Sequence, residues 1–137
     1  MRDEGSADID WELLRTTARE VAKHAYAPYS RLHVGAAALL TDGRVVTGVN
    51  VENVSFGLTM CAENTLVGTM FLQGGGRLRA LAAAASDGRW LTPCGRCRQV
   101  LLEHGGPDML VDSLHGPRPL GELLPESFTP ADLPAEE

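Results

Sequence analysis

The chain contains only three cysteines, and their positions restrict its possible fold more than any other feature. Cys61 is followed two residues later by Glu63, while Cys94 and Cys97 belong to the short motif Pro-Cys-Gly-Arg-Cys. Two cysteines three positions apart at a helix start can direct both thiolates toward one point. Cys61 could join them if two helix N-termini converge. We therefore expect a fold that brings the segments around Cys61 and Cys94 together.

This set of side chains is typical of a catalytic zinc site. Zinc prefers thiolate and imidazole ligands, and catalytic sites use three protein ligands and leave the fourth position open. The positive end of a helix dipole favours the thiolate over the thiol. A carboxylate at Glu63, two residues after the first ligand, could move protons at the open position. The pattern predicts a hydrolytic zinc site with the ligands Cys61, Cys94 and Cys97.

Three other interpretations of the cysteines stay open at this point. The CxxC pair could be a redox-active dithiol, although the usual thioredoxin-like context is missing. All three cysteines could be buried and inert. A closed structural zinc site would need a fourth ligand, and the candidates are His24, His33, His104 and His115. None of these interpretations gives Glu63 a role.

Length and composition indicate one domain over residues 1–137, with mobile tails at 1–6 and 129–137. The net charge of −6 argues against nucleic acid as a partner, because phosphate binding needs a basic face. Apolar runs are too short for a membrane span, and the acidic N-terminus does not resemble a secretory signal. An odd number of cysteines argues against a disulfide framework. We therefore expect a cytoplasmic protein with reduced thiols and no membrane partner.

Hydrophobic periodicity predicts an alternation of helices and strands. The first helix begins at a cap, Asp8 or Asp10, and ends near His24. Further helices are predicted at 61–73 and 94–104, and strands at 34–41, 45–49, 78–85 and 109–112, with a short helical turn or strand at 120–124. The four consecutive alanines in 78–85 favour a helix locally, but the position of the segment favours a buried strand. The order of elements predicts one mixed sheet with helices on both faces.

Four ordered motifs resemble the zinc-dependent cytidine deaminases, especially the small homotetrameric branch of that family. Two of the motifs are the cysteine segments, 61–63 and 93–100. Segment 27–37 resembles the first-strand motif of the family, and segment 50–57 resembles its nucleoside-binding loop. The resemblance covers roughly residues 10–128, which is almost the whole chain.

The resemblance implies an α/β fold, a three-layer α/β/α sandwich with a five-stranded mixed sheet. It implies hydrolytic deamination of cytidine or deoxycytidine to uridine or deoxyuridine plus ammonia, a reaction of pyrimidine salvage. One Zn²⁺ per subunit would be bound by Cys61, Cys94 and Cys97. Hydroxide generated at the zinc would attack the amine-bearing ring carbon, with Glu63 as the proton shuttle.

The resemblance also implies roles for residues outside the metal site. Asn50 and Glu52 would bind the ribose hydroxyls, and Ala62 and Leu32 would line the base pocket. Phe128 would reach into the site of a neighbouring subunit. The expected partners are therefore a nucleoside substrate and further copies of the chain in a homotetramer.

The chain departs from the common family pattern at several positions. Asn64 follows Glu63 where Arg is common, and Arg96 lies between two ligands where Ala is common. Three thiolates on zinc carry a net charge of −1, so nearby positive charge is needed. We hypothesise that Arg96 hydrogen-bonds the cysteine sulfurs and offsets this charge; the alternative is an ordinary exposed charge. Phe56 replaces a common Tyr and Leu32 a common Phe, which affects substrate preference more than reaction type.

Two rival functions remain at this stage. A blasticidin S-type aminonucleoside deaminase has the same zinc pair and a similar Pro-Cys-Gly-Arg-Cys stretch, but the loop at 50–53 resembles the ribose-binding version and favours cytidine. A non-catalytic zinc-binding interaction domain would need neither Glu63 nor an open metal position. Polynucleotide editing fits poorly, because the chain is small and acidic and has few aromatic side chains for stacking bases.

Overall fold

The computed structural model describes residues 8–135, which form one mixed sheet with helices on both faces. The α-helices are α1 (Trp11–Val21), α2 (Ala62–Leu72), α3 (Gly95–Gly105) and α4 (Leu120–Leu123). The strands are β1 (Val34–Leu40), β2 (Val45–Val49), β3 (Leu78–Ala85), β4 (Trp90–Leu91), β5 (Leu110–Val111) and β6 (Arg118–Pro119). Short 3₁₀ helices occupy Ala22–His24, Phe56–Leu58 and Pro130–Asp132.

The sheet is mixed, as the sequence predicts, and the described residues contribute six strands rather than five. Five strands follow the order β2-β1-β3-β5-β6, and β4 pairs with β3 beyond the point where β5 ends. The β3–β5 pairing is parallel and the other pairings are antiparallel. Strands β4 and β6 have two residues each, which is too short to leave a periodic hydrophobic pattern in the sequence.

Alternate residues of the central strands face two separate apolar layers. On one face the sheet packs against α2 and α3, and this layer includes Ala36, Ala38, Leu40, Leu66, Met70, Leu81, Ala83 and Leu101. On the other face it packs against α1, and this layer includes Leu14, Ala18, Ala37, Ala80, Ala82 and Ala84. The three-layer α/β/α sandwich is therefore confirmed.

Helix α1 packs unusually close to the sheet. Asp10 caps the helix, because its carboxylate accepts the backbone N–H of Leu13 at 3.0 Å. At Gly35 in β1, an added Cβ would lie 2.0 Å from the carbonyl oxygen of Ala18. Only glycine permits this approach. The helix ends at Val21 and continues as a 3₁₀ turn to His24, so the predicted end is confirmed with a change of helix type.

Segment 78–85 is a strand, as predicted from its position. All of its residues except Arg79 are buried, and it pairs with β1 along one edge. Alanine favours a helix by only a few tenths of a kcal/mol over most residues, and hydrogen bonds on both edges together with burial on both faces outweigh that preference here.

The chain ends are only partly described. The tail predicted at residues 1–6 lies outside the described residues. Near the other end, Thr129 caps the turn Pro130–Asp132, accepting the backbone N–H of Ala131 at 3.3 Å. The predicted mobility of 129–137 and the single-domain assignment stay predictions. Within residues 8–135, no helix has the length and apolar character needed to cross a bilayer.

Candidate functional site

The N-termini of α2 and α3 converge and bring the three cysteines together. Cys61 immediately precedes α2, Cys94 immediately precedes α3, and Cys97 lies in the first turn of α3. Their Sγ atoms all lie within 4.8 Å of one another. In a tetrahedral zinc site, Zn–S bonds of about 2.3 Å place neighbouring sulfurs ~3.8 Å apart. The three thiols therefore fit one zinc ion after small movements.

The cysteine group matches an open site better than a closed one. All three cysteines are free thiols, and no histidine, aspartate or glutamate within residues 8–135 joins the group as a further donor. Cys97 is buried, Cys61 is half-buried and Cys94 is exposed. One side of the group thus faces solvent, where a fourth position would be accessible. A closed site completed by one of the four histidines has no support in this geometry.

The pKa values of the three thiols show how a bound cation would act on the site. Burial raises the pKa of Cys61 and of Cys97, and the nearby Glu63 carboxylate raises both further. At Cys94 burial acts in the same direction, but hydrogen bonds from the backbone of Cys97 and Arg96 and from the other thiols outweigh it and lower the pKa. Cys94 therefore loses its proton more easily than the other two thiols, and a bound divalent cation would stabilise all three thiolates.

Glu63 is a buried carboxyl group beside the thiols. It lies in the first turn of α2 with 5% of its surface exposed. Burial raises its pKa, while its own backbone N–H and the Cys97 thiol act in the opposite direction through hydrogen bonds. A carboxyl group whose pKa is raised holds a proton more readily than an exposed one, which suits a group that must accept a proton and return it. The position and the environment of Glu63 suit the proton transfer predicted for it.

The cysteine group opens into a pocket of about 300 Å³. The pocket contains seven of the predicted site residues in one space, namely Leu32, Asn50, Glu52, Cys61, Ala62, Glu63 and Cys94. Its other lining residues are Ser30, Val34, Thr59, Leu91 and Thr92. The lining is apolar apart from a few polar groups, which is the composition of a small-molecule pocket.

Glu52 is fixed by donors from the loop after α1. Its Oε1 accepts the backbone N–H groups of Tyr29 at 3.0 Å and Ser30 at 3.1 Å. Its Oε2 accepts a short hydrogen bond from the Ser30 hydroxyl. This last bond is the main reason why the pKa of Glu52 is lowered. Glu52 therefore stays ionised and acts only as an acceptor.

Asn50 connects the end of β2 to the start of β1. Its Oδ1 accepts the backbone N–H of Val34 at 2.9 Å, and its Nδ2 donates to the carbonyl of Leu32 at 2.8 Å. The residue is 8% exposed. One N–H and one acceptor position of the amide remain available to a ligand. Asn50 is thus part of the pocket and also part of what holds the pocket together.

Thr65 joins the two sides of the pocket. Its hydroxyl accepts the backbone N–H of Val49 at 2.9 Å and lies 2.7 Å from the carbonyl of Val49 and 3.0 Å from that of Ala62. Close packing accompanies this contact, since a Cβ added at Gly48 would lie 2.4 Å from the Ala62 carbonyl oxygen. Strand β2, which leads to Asn50, is therefore held against the first turn of α2 by the Thr65 hydroxyl.

Phe128 lies away from this pocket. It is 59% exposed and lines a second depression of about 220 Å³ that also includes Gln99 and Pro107. The Gln99 side chain donates to the Phe128 carbonyl at 2.9 Å. Within one chain, therefore, Phe128 does not contribute to the pocket that contains Glu63.

The side chains of Arg96 and Asn64 make no hydrogen bond to the cysteine sulfurs among those found within residues 8–135. The Arg96 guanidinium donates to the carbonyl of Thr59 at 3.2 Å, and the side chain is exposed. Its backbone N–H, rather than its guanidinium, hydrogen-bonds Cys94. The amide oxygen of Asn64 is buried and has no hydrogen-bond partner among residues 8–135. Charge compensation by Arg96 stays a prediction, which this hydrogen bond to Thr59 does not strengthen.

Sequence reasoning missed Ser30 and Thr65 as contributors to the site. Ser30 lies in the segment that resembles the first-strand motif, but its link to Glu52 spans 22 positions of the chain. Thr65 is a half-buried helix residue, and its partner Val49 lies 16 positions away. Leu91 and Thr92 line the pocket from β4 and the loop after it. Of these residues, only Ser30 carried a signal in the sequence, because it lies within the motif segment 27–37.

Comparison with known proteins identifies the class to which this fold and donor set belong. A family model described as the cytidine and deoxycytidylate deaminase zinc-binding region matches residues 10–112, which contain all three cysteines and Glu63. The chain belongs to the cytidine and deoxycytidylate deaminase family. The resemblance seen in the sequence motifs is therefore confirmed.

Individual relatives match over most of their length. The cytidine deaminase of Mycobacterium tuberculosis is 60% identical over 129 residues, which cover 94% of this chain and 97% of that protein. A crystal structure of a mutant of the M. tuberculosis enzyme has a TM-score of 0.90 at 59% identity and covers 92% of this chain and all of that one. The cytidine deaminase of Mycobacterium leprae has a TM-score of 0.85 at 44% identity and covers 87% of this chain and all of that one.

Proposed function

We propose that the chain is a zinc-dependent enzyme that deaminates cytidine and deoxycytidine by hydrolysis, releasing uridine or deoxyuridine and ammonia. One observation carries this proposal: a buried carboxyl group, Glu63, lines a ligand-sized pocket together with Cys61 and Cys94, two of three convergent thiols. The relatives described above bear the name cytidine deaminase and match almost the whole chain.

The zinc ion would be held by Cys61, Cys94 and Cys97, one ion per subunit. When bound, zinc supplies a Lewis acid that makes a water molecule acidic enough to react near neutral pH. Glu63 would take a proton from that water and deliver it to the ring nitrogen next to the amine-bearing carbon. It would then take the remaining proton from the hydroxyl now attached to that carbon and deliver it to the departing amine, so that both protons of the water are used. One carboxyl group can perform these transfers in sequence because each transfer restores the form that the next one needs.

The rest of the pocket would bind and orient the nucleoside. The free N–H and acceptor position of Asn50 suit a sugar hydroxyl, which both accepts and donates, while ionised Glu52 only accepts. Leu32 and Ala62 present apolar surface to the base. This arrangement holds the ring against Glu63, so that proton transfer occurs over a short distance.

We further propose that the chain assembles into a homotetramer in which each pocket is completed by a neighbour. Phe128 is exposed and lies outside its own pocket, as expected of a side chain that enters another subunit. Near the pocket, the loop 54–60 also exposes large apolar side chains, namely Val54, Phe56, Leu58 and Met60. Exposed apolar surface of this kind favours self-association. Light scattering would measure the mass, and an active monomer would exclude a role of Phe128 in a neighbouring site.

Ammonia release by the purified, zinc-loaded chain tests the proposed reaction. The substrate panel consists of cytidine, deoxycytidine, cytosine, adenosine and blasticidin S, so that it also tests the aminonucleoside alternative. We expect release from the two cytosine nucleosides, and a fall of about 10²- to 10⁴-fold in Glu63→Ala because general acid–base catalysis is lost. Equal, slow release by wild type and variant would instead support a non-catalytic zinc domain.

A further inference from the structure

Ser30 links the loop after α1 to the carboxylate of Glu52. The Ser30 hydroxyl donates to Glu52 Oε2 and accepts the backbone N–H of Leu32 at 3.0 Å. Both lone pairs of Glu52 Oε1 are directed at backbone N–H groups, those of Tyr29 and Ser30. The hydroxyl proton of Ser30 is directed at Glu52, because an ionised carboxylate can only accept.

The Glu52 carboxylate keeps one acceptor position free for a ligand. An ionised carboxylate offers about four acceptor positions. Tyr29 and Ser30 occupy three of them, two on Oε1 and one on Oε2. The free position belongs to Oε2, the oxygen that the Ser30 hydroxyl contacts, and both residues line the pocket. The Ser30 hydroxyl thus fixes the direction in which the last acceptor position faces.

The backbone around Ser30 is held in an unusual conformation. Arg31, the next residue, has a φ of +65°, which is uncommon for a residue with a side chain and is therefore strained. Its backbone N–H donates to the carbonyl of Ala27 at 3.0 Å. This turn places the Ser30 oxygen between the Leu32 N–H and Glu52. The hydrogen bonds to Glu52 are the contacts that can offset its strain.

We propose that Ser30 is a positioning and specificity-determining residue, whose hydroxyl orients Glu52 so that one carboxylate oxygen accepts a hydrogen bond from a sugar hydroxyl. This inference rests on the proposed function, since it requires a nucleoside in the pocket. Ser30 acts through Glu52 and does not touch the reacting atoms. Its removal therefore weakens binding of nucleosides that carry the hydroxyl and leaves the proton transfers of Glu63 unchanged.

The test compares Ser30→Ala with wild type on two substrates, cytidine and 2′,3′-dideoxycytidine. Without the hydroxyl that orients the free acceptor position, we expect KM for cytidine to rise about tenfold, with kcat changed less than about twofold. KM for 2′,3′-dideoxycytidine should not change, because this nucleoside lacks the 2′- and 3′-hydroxyls that would donate to Glu52. Ser30→Thr keeps the hydroxyl and should restore most of the cytidine KM.

Two further variants decide how Ser30 acts. Ser86→Ala removes an exposed hydroxyl that makes none of the hydrogen bonds found within residues 8–135, so it should leave both KM values unchanged. Glu52→Gln should raise KM for cytidine, and adding Ser30→Ala to it should raise KM no further, because the two residues act as one unit. Equal KM increases for both substrates in Ser30→Ala, or additive effects in the double variant, would overturn the proposal. If Ser30→Ala does not fold, Ser30→Gly lacks the same hydroxyl and supports the same comparison.

Calorimetric binding of uridine separates this inference from the proposed function. If wild type binds uridine but releases no ammonia from cytidine, the proposed reaction fails. The effect of Ser30 is then judged from the dissociation constants of uridine and 2′,3′-dideoxyuridine, with the same expected selectivity. If wild type binds no nucleoside at all, both the proposed function and the role of Ser30 are wrong.

Discussion

The two halves of the pocket differ in what their polar groups are bonded to. The metal half comprises Cys61, Glu63, Cys94 and Cys97, and the nucleoside half comprises Ser30, Leu32, Asn50 and Glu52. In the metal half, the polar groups contact mainly one another. Burial raises the pKa of Cys61, Glu63 and Cys97, while at Cys94 hydrogen bonds outweigh burial and lower the pKa. In the nucleoside half, the polar groups hydrogen-bond backbone from distant parts of the chain.

This difference indicates which residues contribute to the stability of the fold as well as to function. Buried carboxyl and thiol groups without an outside partner contribute little to folding and can oppose it. Groups that satisfy buried backbone donors and acceptors are costly to remove, because their partners stay unpaired. Changes in the metal half should therefore abolish activity without unfolding the metal-free chain. In the nucleoside half, a change at Asn50, whose amide bonds part-buried backbone groups, should lower binding and stability together.

The largest effect is expected from Cys97→Ala, which removes the most buried of the three predicted zinc ligands. Zinc should be lost, and ammonia release should fall by more than about 1000-fold, because the metal supplies the nucleophile. In the presence of a chelator, the free energy of unfolding should match that of wild type to within about 1 kcal/mol, the cost of one deleted buried atom. Metal analysis and denaturant titration measure both. Retention of one tightly bound zinc per chain would remove Cys97 from the ligand set.

A smaller effect, and one of a different kind, is expected from Asn50→Asp. The change removes the N–H that donates to the Leu32 carbonyl and keeps the size of the side chain. An unpaired buried carbonyl costs about 1–3 kcal/mol, so the free energy of unfolding should fall by that amount. KM for cytidine should rise about tenfold while zinc content stays at the wild-type value. If KM rises while the free energy of unfolding stays unchanged, the bonds of Asn50 do not stabilise the fold, and the contrast with the metal half is wrong.

Thr65→Val tests the connection between the halves. Valine has the same shape but loses the contacts to the backbone of Val49 and Ala62. We expect a loss of about 1 kcal/mol in stability and a fall of about fivefold in kcat/KM. Thr65→Ser should recover both, because it keeps the hydroxyl. Full activity in Thr65→Val would mean that the position of α2 does not depend on this hydroxyl.

Arg96→Ala is expected to have the smallest effect. The guanidinium is exposed and hydrogen-bonded to the Thr59 carbonyl, so its influence on the zinc site is screened by solvent. We expect zinc affinity or turnover to fall about twofold, the scale of an exposed charge interaction, and Arg96→Lys to restore it. Unchanged zinc content and an unchanged rate would exclude compensation of the thiolate charge by Arg96.

The metal half could be predicted from the sequence, because its geometry is local. Two cysteines three positions apart, and a glutamate two positions after a third cysteine, remain close in any helix start. Only the approach of Cys61 to the other two required the fold. The strand at 78–85 was also predictable, from its position between a helix and a loop rather than from its alanines.

The internal bonding of the nucleoside half could not be predicted. The bonds between Ser30 and Glu52 join residues 22 positions apart, and the bond between Asn50 and Leu32 joins residues 18 positions apart. Such pairings depend on how strands and helices pack, and no local pattern encodes them. The motifs that resemble a nucleoside-binding loop indicated which residues face the pocket, but not which of them already have partners.

Stepwise return of zinc to the metal-free chain, with ammonia release from cytidine as the readout, tests the central claim most directly. The claim is that three thiols at two helix N-termini hold one zinc ion beside Glu63 in a hydrolytic site. Activity should rise in proportion to added zinc and stop rising at one equivalent per chain, while Glu63→Ala binds the same amount of zinc without comparable activity. Full activity in the metal-free chain would contradict the account.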